Sequence, residues 1–323
     1  MSPAAPTGGH APISGTGLGL ALVFATALIS GVSTFVNFYA VKGTNSDAFV
    51  TVRNVATALL LVPIAALASR RGGPALRGPD WGRLAIIGLV GGAIPFLLFF
   101  RGVEMATVAG GAATASFAYR SLFLIATVLG IAFLRERFHW RVTVAAVLLL
   151  GGNLLLLSLT SPLWTDGTAY VFAATVLWAV EYTISRRTLR DLPSTTVALG
   201  RMGLGAAFLM VYLLGSGQLG AVGALSGGQW TWVAISALLL TAFVTTWYAG
   251  LARVELGVAA SILVLGFPVT WVLSVALQGS AFTVGQVAGA VVVAAGVAVV
   301  IGRSTWAALG RDLARRIRAR ADG

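Results

Sequence analysis

Residues 29–54 read ISGVSTFVNFYAVKGTNSDAFVTVRN, and 148 positions later residues 177–202 read LWAVEYTISRRTLRDLPSTTVALGRM. Aligned, the two put Arg53 on Arg201, Gly31 on Ala179 and Ser33 on Glu181. A second pair agrees at an offset of 144: RERFHWRVTVAAVLLLGG at 135–152 falls on GSAFTVGQVAGAVVVAAG at 279–296, with Gly152 on Gly296. Identity is low in both pairs, and charge gives the repeat its meaning. Each copy holds five apolar runs. An odd number of crossings forces the second copy to insert upside down, so inner loops of the first become outer loops of the second and should lose their arginines. They do. Segment 70–83 carries four Arg and its counterpart 216–228 none; 135–141 carries three and 278–283 none. In the other sense, Lys42 alone in 42–46 is answered by Arg186, Arg187 and Arg190 in 186–193. This is the pattern of an inverted-topology repeat.

The ten apolar runs fall at 17–41, 47–69, 84–103, 108–134, 142–160, 168–187, 194–215, 229–250, 256–277 and 284–302. Each is close to the ~20 residues that cross a bilayer as helix. The short alternating segments of a membrane barrel are absent. The expectation is an all-α integral membrane protein, with ten transmembrane helices arranged as two inverted five-helix repeats, 17–160 and 168–302. Residues 1–16 carry no Lys or Arg, unlike the basic start of a signal peptide, and read as a short disordered tail. In 303–323, Trp306, Leu309, Leu313 and Ile317 recur at helical spacing with Arg between them. That segment reads as a basic amphipathic cytoplasmic tail on the anionic inner leaflet.

Composition agrees. Of 323 residues 58% are hydrophobic and 10% charged, with mean hydropathy +0.91; a soluble chain is roughly 25% charged. Cytosolic enzymes, secreted domains and disordered proteins are excluded. The net charge of +12 does not indicate nucleic acid as a partner, because most arginines sit in short loops. With the N-terminus cytoplasmic, 17 Lys and Arg fall inside, 2 outside and 3 within spans, so both termini are expected in the cytoplasm. Arg outnumbers Lys 21 to 1 amid abundant Ala and Gly, which points to a GC-rich bacterium and its inner membrane. There is no Cys and there are two His, which argues against disulfides, thiolate nucleophiles and a metal site. No P-loop or dinucleotide fingerprint occurs, so neither a cofactor nor ATP drive is expected.

Several local patterns carry a family resemblance over about 17–302. TVRN and LGRM place an Arg early in the second span of each copy. AYRSLFLIATVLGIAFLRERF (118–138) and LGFPVTWVLSVALQGSAFT (265–283) are similar fourth-span runs, and the Gly152 and Gly296 runs close each copy. The chain resembles the EamA-type branch of the drug/metabolite transporter superfamily. Two departures stand out: Phe123 occupies the place of Pro268, and Ser280 that of Glu136. The resemblance implies a ten-helix secondary transporter with a central cavity between its halves.

Charge inside the membrane costs roughly 2.5–3.5 kcal/mol per group and usually faces a cavity or a partner. Four groups qualify: Arg53, Arg120, Glu181 and Arg201. At 1.5 Å rise per residue, Arg120 lies within ~2 Å of the midplane, Arg53 ~7 Å to the outer side, and Arg201 and Glu181 ~6 and ~5 Å to the inner side. Glu181 and Arg201 thus share a level and are placed to pair. Arg53 and Arg201, being repeat-related, equally suit structural roles on backbone carbonyls or a carboxylate. Arg120, whose repeat partner is Leu265, reads as a substrate or counter-ion group. Glu181 is the one carboxylate well inside a span and so the proton-coupling candidate, weighed against a fixed partnership with Arg201. Glu104 and Glu255 read as solvated helix ends. Tyr119 and Trp178 neighbour deep charges and join Arg120, Arg53 and Arg201 as candidate substrate-binding residues. Tyr39 and Tyr248 read as interface-belt residues. The GxxxG pairs Gly88/Gly92 and Gly285/Gly289 argue for close helix packing and only weakly for a homodimer. Pro95 and Pro268 fall inside spans and free backbone groups there.

Three deep Arg against one Glu favour an anionic or carboxylate-bearing cargo. The reading is a secondary active transporter, an exporter of a small metabolite, amino acid-like or amphipathic compound by alternating access in the lipid bilayer. A lipid or prenyl-phosphate translocator of the same fold is the alternative. A membrane-embedded enzyme would need clustered Asp, His or Ser in a long loop, and the longest loops here, of about 14 residues, hold none.

Overall fold

A computed structural model describes residues 14–41, 43–70, 75–108, 117–136, 140–156, 165–278 and 283–302, and among them all regular structure is helical. The helices are α1 Ser14–Ala40, α2 Ser46–Ser69, α3 Gly78–Ile87, a π-helical turn Gly88–Ala93, α4 Ile94–Val108, α5 Leu122–Leu134, α6 Trp140–Leu156, α7 Asp166–Thr188, α8 Ser194–Gly215, the single turn α9 Gly220–Gly223, α10 Gly227–Leu251, α11 Leu256–Leu263, α12 Gly266–Gln278 and α13 Val284–Ile301. The first begins three residues before the sequence boundary of 17. Most of the N-terminal tail and all of the basic C-terminal tail lie outside the described residues.

Among the described residues eight stretches are long and apolar enough to cross a membrane: 15–37, 46–69, 78–106, 117–134, 194–215, 227–251, 256–277 and 284–301. The other two expected spans are helical but differ in kind. The apolar part of α6 is confined to Thr143–Leu156. The 23-residue α7 is long enough but carries Asp166, Glu181, Arg186 and Arg187. These are multiple membrane-spanning helices, and the chain is a multi-pass membrane protein.

The copies interleave. Extensive packing joins α1 with α10, α2 with α8, α4 with α7, α5 with α11, and α6 with α13. Each pair takes one helix from each half. Exchanging the halves turns the α1–α10 pairing into the α7–α4 pairing and leaves the other three unchanged, so the packing has a two-fold symmetry. At the α6–α13 crossing a Cβ on Gly289 would lie 2.7 Å from the Gly152 carbonyl oxygen, so the backbones touch there. Of the GxxxG pair, only Gly289 works this way; a Cβ at Gly285 would meet only Thr283 Oγ1, at 3.8 Å.

Both fourth runs are broken at matching positions. A turn at Ser121 precedes α5, and Val264–Leu265 separate α11 from α12. Pro268 cannot donate to the Val264 carbonyl; the Phe267 N–H takes that oxygen at 3.1 Å. After α5, Arg135 turns left-handed (φ 58°). Glu136 then reaches the other copy, accepting from the backbone N–H groups of Leu256 (2.6 Å) and Gly257 (3.1 Å) at the start of α11. A carboxylate on a helix N-terminus satisfies orphan donors and meets the positive end of the dipole. Glu136→Ala is expected to cost about 1–2 kcal/mol, read as a lowered unfolding temperature in detergent. An unchanged midpoint would contradict it.

Candidate functional site

A cavity of about 540 Å³ opens between the copies. Ser30, Ser33, Thr34 and Asn37 of α1 line it, with Arg53 of α2 and Phe96, Phe99 and Phe100 of α4. Tyr119, just before α5, Trp178 and Tyr182 of α7, Arg201 of α8, and Leu240 and Phe243 of α10 complete the wall. An adjoining space of about 290 Å³ runs along Thr34, Asn37, Phe99 and Phe100 to Val41 and Val103, near the ends of α1 and α4. At the opposite end the halves are held together. Glu136 caps α11 there and Arg83 meets Asp191 at 2.8 Å, while within the second copy Arg186 donates to the Ala252 carbonyl at 3.0 Å.

The cavity's polar wall is built on the π-helical turn. Pro95 has no N–H, so the carbonyl four residues back, Gly91, has no α-helical donor. The Ile94 N–H reaches instead to Leu89, five residues back. The Gly91 oxygen then accepts from Trp178 Nε1 (3.1 Å) and Arg201 Nη2 (3.0 Å), and the Gly92 oxygen from Asn54 Nδ2 (3.0 Å). Three side chains from three helices are thus fixed by two buried carbonyls of the turn. Single π turns recur at functional sites for this reason. The glycines are needed for contact as well: a Cβ on Gly91 would sit on the Glu181 carboxylate, 2.8 Å from Oε2.

The structure brings Arg53, Tyr119, Trp178 and Arg201 together on this one cavity. Arg53 is 2% exposed. Its Nε and Nη2 both donate to Asn54 Oδ1 (3.1 and 2.9 Å), and its guanidinium lies 4.7 Å from the Phe96 ring and 4.8 Å from Phe100. Its partners are therefore an amide and two aromatic faces, where a carbonyl or carboxylate was expected. Arg201 and Glu181 do pair, Nε to Oε2 at 3.4 Å. Glu181 is fully buried behind Arg201, and Ser185 and Tyr248 (2.6 Å) donate to its Oε1. Arg201 Nη1 has no hydrogen-bond partner yet belongs to a side chain that lines the cavity. Arg120 is set apart: it lines a neighbouring cavity, with Tyr119 forming part of both walls.

The EamA-like transporter family matches residues 17–158 and again residues 166–302. The chain belongs to that family. One solved structure, titled "Crystal structure of protein", superposes with a TM-score of 0.67 at 19% identity, covering 89% of this chain and 97% of its own, and supports the fold. The comparison with curated proteins returned no match. The family makes this EamA-like protein a membrane transporter.

Two features of the EamA-like site differ from the sequence reading. Tyr248, expected at the membrane interface, is fully buried and hydrogen-bonded to Glu181, because α10 packs within the bundle against α1, α2 and α8. The aromatic wall of α4 was not anticipated. Phe96, Phe99 and Phe100 join Trp178 and Tyr119 with ring centroids 5.3–5.5 Å apart for the Phe96–Trp178, Phe99–Trp178, Phe99–Tyr119 and Tyr119–Trp178 pairs. Their i, i+3, i+4 spacing in PFLLFF is the signal that would have found them.

Proposed function

We propose that this protein is a secondary active transporter that exports a small anionic or carboxylate-bearing metabolite by alternating access. In this reading ten spans form two inverted repeats in a bacterial plasma membrane, with both termini cytoplasmic. The observation that carries it is the central cavity, where Arg53 and Arg201 share an aromatic enclosure and Glu181, paired with Arg201, stands behind it. A low-dielectric site with excess positive charge favours an anion. Arg201 lines the cavity with its Nη1 lacking a hydrogen-bond partner, and the aromatic wall suits an apolar cargo body, as in an amino acid-like or amphipathic acid. The cavity leads toward the 42–46 loop, which the arginine count puts outside, so this conformer faces outward. The contacts of Glu136 and Arg83 with the other copy close the cytoplasmic end. Glu181 is the group on which proton coupling would act, through its contact with Arg201.

The test compares metabolites released by cells expressing wild type or Arg53→Gln at matched membrane levels. One class of organic anion is expected outside only with the wild type, its release falling at least about tenfold in the variant, in line with the loss of a buried charged contact. Release of a cation that Arg53→Gln leaves unchanged would overturn the anion reading. Altered leaflet composition without release would instead point to a lipid cargo.

A further inference from the structure

Arg120 is a buried charge that the central cavity does not use. It is 5% exposed at the break before α5, and its Nε and Nη2 have no hydrogen-bond partner. Among the described residues the ion pairs are Arg83 with Asp80 and Asp191, and Arg201 with Glu181; no carboxylate pairs with Arg120. Its guanidinium lies between two aromatic rings, 5.2 Å from Tyr119 and 5.3 Å from Phe267. It borders a small cavity walled, besides Tyr119, by Leu122, Phe123, Ala260, Leu263 and Val264. Leu122 and Phe123 open the 13-residue α5, so the positive end of that helix dipole adds to the guanidinium. A buried guanidinium without a counter-ion is costly. Here the unpartnered Nε and Nη2 occupy the two-donor edge that takes a single anion. The rest of the wall is apolar, which disfavours strongly hydrated or multivalent anions.

We propose that this cavity is a second anion site, separate from the cargo cavity, in which Arg120 and the start of α5 hold a chloride-sized monovalent anion. This inference does not rest on the identity of the cargo. The experiment monitors unfolding of the detergent-purified full chain at constant sodium and ionic strength, replacing gluconate stepwise with chloride, bromide or acetate. Chloride and bromide are expected to raise the midpoint saturably, by about 3 °C. Arg120→Gln should abolish the rise, and the surface charge control Arg83→Gln should keep it. An equal rise in every salt, or a halide response that survives Arg120→Gln, overturns the proposal. A response to acetate without one to halides also overturns it, and gives Arg120 to a carboxylate ligand. Should Arg120→Gln fail to fold, ³⁵Cl line broadening by the wild type decides. Broadening above the detergent background that bromide displaces supports the site, and its absence overturns it. No cargo is present in any arm, so these results are independent of the transport assay.

Discussion

Replacing Arg201 with Ala is expected to end transport and to cost about 3–5 kcal/mol of stability, the usual consequence of removing one partner from a buried ion pair. The cost comes from the group that stays behind. Glu181 is fully buried, its Oε2 has only Arg201 opposite, and its Oε1 is held by Ser185 and Tyr248. Without Arg201 a carboxylate would be left in a low-dielectric setting with hydroxyl partners alone. The Gly91 carbonyl would also lose one of its two donors. Glu181→Gln should be milder, because an amide oxygen still accepts from Tyr248 and Ser185. The double variant should recover part of the loss, since the stranded charge is gone. Denaturation midpoints in detergent and uptake into proteoliposomes, measured on the same preparations, give both readouts. An Arg201→Ala protein with wild-type stability and rate would mean that the pair contributes nothing.

The second large effect is steric and has a control on the same helix. A Cβ on Gly205 would lie 2.7 Å from Cα and C of Gly92, both backbone atoms of the π-helical turn. Neither can step aside without moving the carbonyls that hold Asn54, Trp178 and Arg201. Gly205→Ala is therefore expected to cost about 3 kcal/mol, at the upper end for overpacking, and to lower cargo affinity. Two residues earlier, a Cβ on Gly203 would meet only Leu199 Cδ1, at 4.0 Å. There the helix-propensity gain of about 1 kcal/mol should prevail, so Gly203→Ala is expected to stabilise. Opposite signs at the two positions, read in one thermal scan, test the crossing; equal signs would refute it.

The parts legible in the sequence are those fixed by periodicity and by loop charge. Apolar runs and alternating arginines gave the helices and their two-copy arrangement. Rise per residue set Arg201 and Glu181 at one depth, and they meet. Tyr248 and Phe96 escaped because their surroundings depend on which helix lies across from them. That information resides in which helices α10 and α4 meet in three dimensions, which no local spacing encodes. The bond from Asn54 to the Gly92 carbonyl joins residues 38 apart in the chain, so local spacing does not encode it either. The proline's ring chemistry announces freed backbone groups, but the side chains that claim them come from distant helices.

The π-helical turn also sets the phase of α4. Such a turn holds one residue more than the α path needs, and at 3.6 residues per turn one residue is about 100° of rotation. Deleting Gly91 would leave the helix nearly as long, yet swing Phe96, Phe99 and Phe100 about a quarter-turn around its axis, off the cavity. The equivalent helix of the other copy, α10, runs as uninterrupted α-helix from Gly227 to Leu251. The two halves therefore match in which helices pair but are one residue out of step where they face the cargo. A chamber framed by symmetric packing thus presents unlike walls, and it can hold an asymmetric molecule in a single orientation.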